Sequence, residues 1–216
     1  MSFFSIENTF FNILNYPVSY IEFIGSMAGI IAVWLAAKSQ ILTWPIGLIN
    51  ITLFFIIFWQ VELYSDVFLQ VYFFTISIYG WYNWHYENQH QLPIKTLSQT
   101  LRIKYSMIII ISSVILGLIV SNLNIYMPKI FVKPAAYPFL DSFVAVTSVI
   151  ANTFMARRIL ENWLLWIIVN IVCVGLYFSK NIIFVSIEYF IFLLLAILGH
   201  FSWTKEKNIS INNLSQ

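Results

Sequence analysis

The sequence predicts an all-α polytopic membrane protein whose seven transmembrane helices form two parallel three-helix repeats joined by a linker helix. Three observations support this prediction. Of the 216 residues, 60% are apolar and only 9% are charged, whereas a soluble domain carries about 25% charged residues. Seven windows are long and apolar enough to cross a bilayer, which takes about 20 residues each. Finally, unusual residues of the first half recur about 119 positions later, which indicates an internal repeat.

The same composition excludes several other classes of protein. An aromatic content of 19% is too high for an intrinsically disordered chain. The net charge is only +2 and no basic run is present, so we expect no nucleic-acid partner. The single cysteine, Cys173, has no second cysteine to pair with in the chain. Membrane lipid is therefore the expected surrounding of most of the surface.

Residues 1–19 are expected to form an extracytoplasmic segment ahead of the first span. Residues 1–16 contain no Lys or Arg, so they lack the positive n-region of a cleavable signal peptide. Apolar residues are mixed there with polar ones, which favours a short helix lying on the membrane surface. These apolar residues are Phe3, Phe4, Phe10, Phe11 and Leu14.

The spans themselves follow from the apolar windows. Very short turns separate the second from the third span and the sixth from the seventh, so each of these pairs is expected to form an antiparallel hairpin. We expect spans near 20–38, 43–60 and 64–84 (first bundle, 20–84), a linker helix near 105–121 within the connecting region 85–140, spans near 141–157, 162–180 and 183–203 (second bundle, 141–203), and a cytoplasmic tail at 204–216.

The cationic residues predict the orientation in the membrane, because Lys and Arg concentrate on the cytoplasmic side. Eight of the 11 Lys and Arg residues lie on the side that the chain reaches after odd-numbered spans. This places the N-terminus outside and the C-terminus in the cytoplasm, which requires an odd number of spans. The cytoplasmic set is Lys38, Lys95, Arg102, Lys104, Arg157, Arg158, Lys205 and Lys207, and the other side holds Lys129, Lys133 and Lys180.

The repeat determines how the spans are arranged. Each copy contains three spans, so two copies keep the same orientation only if an extra span lies between them, as in the sugar-transporting SWEET proteins. Such transporters hold their substrate between the repeats, whereas a rigid scaffold with duplicated packing would need no polar groups at membrane depth. The matching pairs are Glu22 with Asp141, Trp44 with Trp163, Gly80 with Gly199, Trp84 with Trp203 and, with one more residue of shift, Asn50 with Asn170.

Four acidic residues lie within or at the ends of the predicted spans: Glu22, Asp66, Asp141 and Glu188. Ionisable groups at membrane depth usually face a partner or a water-filled cavity. The first three begin spans, where the helix dipole alone would favour a carboxylate. Glu188 lies deeper, so capping explains it less well.

Polar and aromatic side chains also align along helix faces. Tryptophans can serve as interfacial anchors and amides can bond between helices, so spacing alone leaves a binding role and a structural role open. The aligned sets are Gln70, Phe74, Ser77, Trp81 and Trp84 in the third span, Trp44, Gly47 and Asn50 in the second, Trp163, Trp166 and Asn170 in the sixth, and Glu188, Phe192, Leu195 and Gly199 in the seventh.

No motif indicates an enzyme. The sequence contains no HExxH, no Cys/His cluster, no Gly-rich phosphate loop and no Ser/His/Asp grouping, so neither a metal site nor a cofactor is expected.

Two long stretches resemble the PnuC family of vitamin transporters, specifically its nicotinamide riboside branch. They are WPIGLINITLFFIIFWQVELYSDVFLQVYFFTISIYGWYNW, from Trp44 to Trp84, and PFLDSFVAVTSVIANTFMARRILENWLLWIIVNIVCVGLYFSKNIIFVSIEYFI, from Pro138 to Ile191. The resemblance implies a 3+1+3 helix fold that carries nicotinamide riboside, an NAD precursor, across the inner membrane. It also implies facilitated diffusion, with a cytosolic kinase trapping the arriving riboside, while related members carry thiamine or riboflavin. A homo-oligomer is compatible with the sequence.

By this resemblance, a substrate-binding role falls on Gln70, Trp163, Trp166 and Asn170, and a gating role on Trp81 and Trp84. The shared helix faces add Asn50 and Glu188 to the expected binding residues, and the position of Trp44 at the cytoplasmic start of the second span adds it to the expected gate. Aromatic faces suit the pyridinium cation of the riboside, and amides suit its carboxamide. No span interior contains Arg or Lys, which a phosphate group would require, so we expect the mononucleotide to be rejected.

Overall fold

A computed structural model describes residues 4–13, 16–61, 64–89, 93–127, 135–179 and 183–214. Within them, a two-stranded hairpin precedes seven helices. The elements are β1 Thr9–Ile13, β2 Tyr16–Ser19, α1 Tyr20–Ala37, α2 Thr43–Gln60, α3 Tyr64–Gln89, α4 Gln99–Tyr126, α5 Pro138–Ala156, α6 Asn162–Ser179 and α7 Ile183–Leu214.

The helical membrane fold predicted from the sequence is confirmed at this level. Six helices, namely α1, α2, α4, α5, α6 and α7, are long and apolar enough to cross a membrane. The remaining helix, α3, has 26 residues, about 39 Å at 1.5 Å per residue, but its polar C-terminal turns make it less apolar. The chain is thus a multi-pass membrane protein.

Three helices run further than the hydrophobic windows predicted, and one of them is α4, which spans Gln99–Tyr126 where a helix near 105–121 was expected. Helix α3 continues past Trp84 to Gln89, and α7 continues past Trp203 to Leu214, so most of the expected tail is helical. Beyond the apolar window of α7, the Thr204 hydroxyl donates to the His200 carbonyl at 2.7 Å. Hydropathy marks where a helix leaves lipid, and this differs from where the helix ends.

The expected surface helix at the N-terminus is wrong. Strands β1 and β2 pair there as an antiparallel hairpin, with Phe11 opposite Val18. A hairpin gives this short segment backbone partners, and it lets Phe10 and Phe11 pack against the Phe23 ring at 5.3 and 5.5 Å. Two residues of the prediction, Phe3 and Leu14, lie outside the described residues.

Helix α1 begins with a capping box, which assigns Glu22 a structural role. The Ser19 hydroxyl accepts a hydrogen bond from the Glu22 backbone N–H, while the Glu22 carboxylate accepts from the Ser19 backbone N–H at 2.8 Å. The Tyr16 hydroxyl also donates to Glu22, at 2.8 Å. Burial, together with this carboxylate, raises the pKa of Tyr16 to about 12. Capping and the helix dipole at the start of α1 therefore explain why the Glu22 carboxylate lies there.

The helices pack in a regular pattern. Helix α2 lies against α1 and α3, and α6 lies against α5 and α7. Between these groups, α1 contacts α7 and α3 contacts α5, while α4 packs on α5. Each contact between the groups thus joins the first helix of one group to the third helix of the other.

Structural details recur at the interval of 119 residues predicted from the sequence. Ser39 and Arg158, which follow α1 and α5, both have positive φ angles, 54° and 52°. The Trp84 indole donates to the Met155 carbonyl at 2.9 Å, and the Trp203 indole donates to the Ala36 carbonyl at 2.9 Å. In each bond, donor and acceptor lie 119 positions from their counterparts in the other.

Candidate functional site

A cavity of about 1440 Å³ lies between the helices, and all seven contribute to its lining. One end lies where α2 and α6 begin, at Trp44 and Trp163, and is here called the tryptophan end. The cavity extends from there to Asp66 and Asp141, near the starts of α3 and α5. It therefore runs along most of the length of the bundle.

Four tryptophans close the tryptophan end. The Trp44 ring meets Trp84 edge to face at 5.3 Å, and Trp163 meets Trp203 in the same way at 5.6 Å. Trp84 and Trp203 contact each other at 5.6 Å. None of the four side chains is more than 3% exposed. They form a continuous aromatic layer between the cavity and that end of the molecule.

Glycines make room for this layer. A Cβ on Gly80 would come within 2.4 Å of the Trp44 ring, and a Cβ on Gly199 within 2.6 Å of the Trp163 ring. Only glycine lets α3 and α7 approach the indoles this closely. The two glycines are themselves 119 positions apart, so the same contact between a glycine and an indole ring forms in each half of the layer.

The connection between α3 and α4 covers the layer from outside. Its Lys95 backbone N–H donates to the Arg158 carbonyl at 2.9 Å, and the Leu160 N–H donates to the Lys95 carbonyl at 2.9 Å. Ile94 is 4% exposed and packs in the same cluster as Trp84. We call residues 93–98 the strap, because they tie the first helix group to the turn between α5 and α6.

Ion pairs hold the strap and the surrounding turns in place. The Glu161 carboxylate accepts from the Arg102 guanidinium at 2.8 Å and from the Leu97 backbone N–H at 3.2 Å. Lys95 pairs with the buried Glu87. The tryptophan end is therefore closed by an aromatic layer, a strap and a polar network.

The amides predicted to bind substrate lie on the cavity. Asn50, Gln70 and Asn170 all line it. The Asn50 side-chain nitrogen donates to the Gly25 carbonyl at 2.8 Å. Asn170 is only 4% exposed, and its amide makes no hydrogen bond within the described part of the chain. A buried amide that bonds to none of the residues described is suited to binding a ligand.

The tryptophans predicted to act in the site divide into those that line the cavity and those that do not. Trp44, Trp163 and Trp166 line the cavity. The indole nitrogens of Trp44 and Trp163 are buried and, among the residues described, have no hydrogen-bond acceptor. The layer thus presents two symmetry-related N–H donors next to the cavity.

The predicted face on α3 is buried only in part. Ser77 and Trp84 are 4% and 0% exposed, whereas Phe74 and Trp81 are 43% and 41% exposed. The buried face centres near Gly80, and Trp81, one residue on, is turned about 100° away from it around the helix axis. Trp84 lies in the layer, but neither it nor Trp81 lines the cavity.

The acidic residues also separate by position. Asp66 and Asp141 line the cavity far from the tryptophan end, close enough for their charges to interact. Glu188 is not among the lining residues; it interacts with Ser26, close to the charge of Glu22. In the parts of the chain that the structure describes, no group of His, Cys, Asp and Glu is arranged to hold a metal ion.

Sequence reasoning missed several residues of the site. Trp203 completes the aromatic layer, and its signal was available because it matches Trp84 in the repeat. Asn152 lines the cavity with 7% exposure, but a lone Asn in an apolar helix gives no spacing signal. Tyr72 and Tyr189 also line the cavity, and their spacing gave no signal either.

Comparison with known proteins shows one consistent relationship. A family model described as nicotinamide mononucleotide transporter matches residues 19–205. The chain is 33% identical to the nicotinamide riboside transporter PnuC of Escherichia coli (strain K12), with 94% of each chain covered. It is 21% identical to the riboflavin/roseoflavin transporter RibM of Streptomyces davaonensis, over 89% of this chain and 88% of the relative.

A solved structure shares the fold. The crystal structure of the vitamin B3 transporter PnuC matches with a TM-score of 0.64 at 21% identity, covering 88% of this chain and 83% of the other.

Proposed function

The chain belongs to the nicotinamide mononucleotide transporter family, and from this premise we propose that it carries nicotinamide riboside, an NAD precursor, across the inner membrane. The observation that carries the proposal is the composition of the cavity lining. It combines indoles, amides and two carboxylates, and the described residues that line the cavity include no Lys or Arg. The 33% identity to a riboside transporter along nearly the whole chain supports the same substrate.

The lining matches the chemistry of the riboside. Its pyridinium ring is a cation that favours aromatic faces, each worth about 0.5–2 kcal/mol, and Trp163 and Trp166 provide them. Its carboxamide needs donors and acceptors, which Asn50, Asn170 and Gln70 provide. The carboxylates of Asp66 and Asp141 favour a cation approaching from the far end of the cavity.

We predict that the mononucleotide is rejected, although the family model takes its name from it. A phosphate group would enter a cavity that has two carboxylates and no cationic side chain on its described lining. Purified protein in liposomes should take up labelled riboside and leave labelled mononucleotide at the level of empty liposomes. Uptake of the two at comparable rates would overturn this prediction.

Riboflavin and thiamine are the competing substrates, because a riboflavin transporter is among the relatives. Riboflavin is neutral and gains little from the two carboxylates, and thiamine is a cation without a ribose. Titrating the fluorescence of the tryptophan layer with all three compounds tests the proposal. Saturable quenching by the riboside at the lowest concentration supports it, and tighter binding of riboflavin or thiamine would replace it.

The helices are proposed to form a 3+1+3 arrangement, with α1–α3 and α5–α7 as parallel bundles and α4 between them. The paired indole-to-carbonyl bonds and the paired glycine contacts, all 119 residues apart, support a twofold relation along the membrane normal. The reciprocal contacts of α1 with α7 and of α3 with α5 support it further.

Transport is proposed to proceed by facilitated diffusion as the two bundles rock against each other. The cationic residues favour a cytoplasmic location for the tryptophan end, so the cavity in this structure extends away from the cytoplasm. Trp44 and Trp84 are then parts of a closed cytoplasmic gate, while Trp81 and Glu188 lie outside the cavity lining and receive no role. A cytosolic kinase would retain the delivered riboside by phosphorylating it.

A further inference from the structure

The internal repeat gives the two halves of the cavity a similar backbone arrangement, but the side chains that line the two halves differ in polarity. Among the polar lining residues on α3 and α5, four have repeat counterparts that can be compared directly because these line the cavity as well: Gln70, Ser77, Ser148 and Asn152. The residues 119 positions away also line the cavity, on α7 and α1, and none of them has an aliphatic hydroxyl or an amide. These counterparts are Tyr189, Ala196, Gly29 and Val33.

The two walls are therefore chemically different. On the α1–α7 wall, the Tyr189 ring stacks on Tyr177 at 5.3 Å, and its hydroxyl interacts with Cys173. On the α3–α5 wall, the Tyr72 hydroxyl bonds to the Val149 carbonyl at 3.0 Å and to the Thr153 hydroxyl at 2.6 Å. These bonds join α3 to α5 and fix the polar wall.

Asn152 is the most informative residue on this wall. It is 7% exposed, lines the cavity, and makes no side-chain hydrogen bond in the described ranges. Its neighbour Thr153 already satisfies Tyr72 and the α5 backbone, so Asn152 is not needed to join the helices. An amide at membrane depth that bonds to none of the described residues indicates a partner that arrives from the cavity.

We propose that the substrate binds asymmetrically, with its ribose hydroxyls on the α3–α5 wall, and that Asn152 is the specificity-determining residue for that diol. The inference rests on the proposed function and deepens it. A primary amide presents a donor beside an acceptor, which matches two vicinal hydroxyls, and the hydroxyls of Ser77 and Ser148 extend the same chemistry. The aromatic rings and the amide of Asn170 remain for the nicotinamide end.

The test compares nicotinamide riboside with its 2′,3′-dideoxy analogue, by titration of purified protein. The wild-type protein should bind the riboside at least about ten-fold more tightly than the analogue, as expected for lost hydrogen bonds to a buried polar group. Asn152→Leu, which is similar in size, should bind the two compounds within about three-fold of each other. The control Asn122→Leu, at an α4 amide that donates to the Leu118 carbonyl and does not line the cavity, should keep the wild-type preference.

Each outcome decides one question. If Asn152→Leu keeps the full preference for the riboside, or if the wild type shows no preference, the inference is overturned. If the wild type binds neither compound, the proposed function itself fails. Should Asn152→Leu not survive purification, Asn152→Ala removes the same amide without added bulk and must show the same loss of preference.

Discussion

At the scale of single residues, the two glycines of the tryptophan layer show how little space the closed end allows. Gly80 and Gly199 lie against indole rings, whereas a Cβ on Gly175 of α6 would meet nothing within 4 Å. The three glycines look alike in the sequence, so only the packing distinguishes them. A methyl group added at each position therefore reports on the layer.

We predict that Gly199→Ala destabilises the protein by about 1–3 kcal/mol, the usual cost of overpacking, because its Cβ would overlap the Trp163 ring. Gly80→Ala should destabilise the protein to a similar extent, because its Cβ would overlap the Trp44 ring. Gly175→Ala is the matched control and should be neutral or slightly stabilising. Thermal unfolding in detergent, followed by tryptophan fluorescence, measures the effect. Equal midpoints for all three variants would contradict the tight packing of the layer.

A second residue-scale prediction concerns Asn170. Asn170→Ala should weaken riboside binding by about 1–3 kcal/mol without lowering expression, because the amide lies on the cavity and makes no hydrogen bond among the described residues. The control is Asn122→Ala on α4, whose side chain donates to the Leu118 carbonyl and does not line the cavity. Unchanged affinity in Asn170→Ala would remove this residue from the site.

Spacing predicted some of these residues and could not predict others. The i, i+3, i+7 set on α6 indeed lies on the cavity, since Trp163, Trp166 and Asn170 line it. The set on α3 failed for Trp81, because spacing groups residues on a face but does not say where the buried face is centred. Asn152 had no partner in any pattern. Its importance depends on which helices the fold brings opposite it.

At the scale of elements, the spans followed closely from hydropathy, since most helices begin and end within a few residues of the predicted windows. The N-terminal hairpin did not, because amphipathic aromatic segments fit a short surface helix and a strand pair equally well. The strap was also invisible in the sequence. Its pairing with the turn after α5 joins segments about 60 residues apart, and it links α4 to the closed end instead of leaving it a simple tether.

We predict that the strap depends on Glu161. This residue is 7% exposed and accepts from both Arg102 and the Leu97 backbone. Glu161→Gln removes the charge that holds both donors, so amide hydrogen exchange at residues 94–98 should become at least about ten-fold faster. The control Lys104→Gln lies on the exposed side of α4, away from the strap, and should leave exchange unchanged. Unaltered exchange in Glu161→Gln would show that backbone pairing alone holds the strap.

At the scale of the whole molecule, the internal repeat has two effects. It makes the closed layer symmetric, and it leaves the cavity asymmetric in polarity. Its duplicated features, the glycine contacts and the indole-to-carbonyl bonds, build a symmetric closed layer, which suits an element that must open and reclose. Its unduplicated features, the polar residues of the α3–α5 wall, make the cavity chemically one-sided, which suits a substrate with different ends. The first set is visible in the sequence, because its members recur as matches 119 residues apart. The second set consists of mismatches, which acquire meaning only once both members of each pair are seen to line one cavity.

The orientation of the molecule gives the last prediction. Because eight of the 11 Lys and Arg residues lie at the ends reached after odd-numbered spans, the tryptophan end should face the cytoplasm. The single cysteine, Cys173, is buried, so Cys173→Ser gives a background without thiols. In that background, an impermeant maleimide should label Glu7→Cys on intact spheroplasts and Lys205→Cys only after lysis, both positions being exposed. Labelling of Lys205→Cys on intact spheroplasts would reverse the orientation and place the closed gate on the outer side.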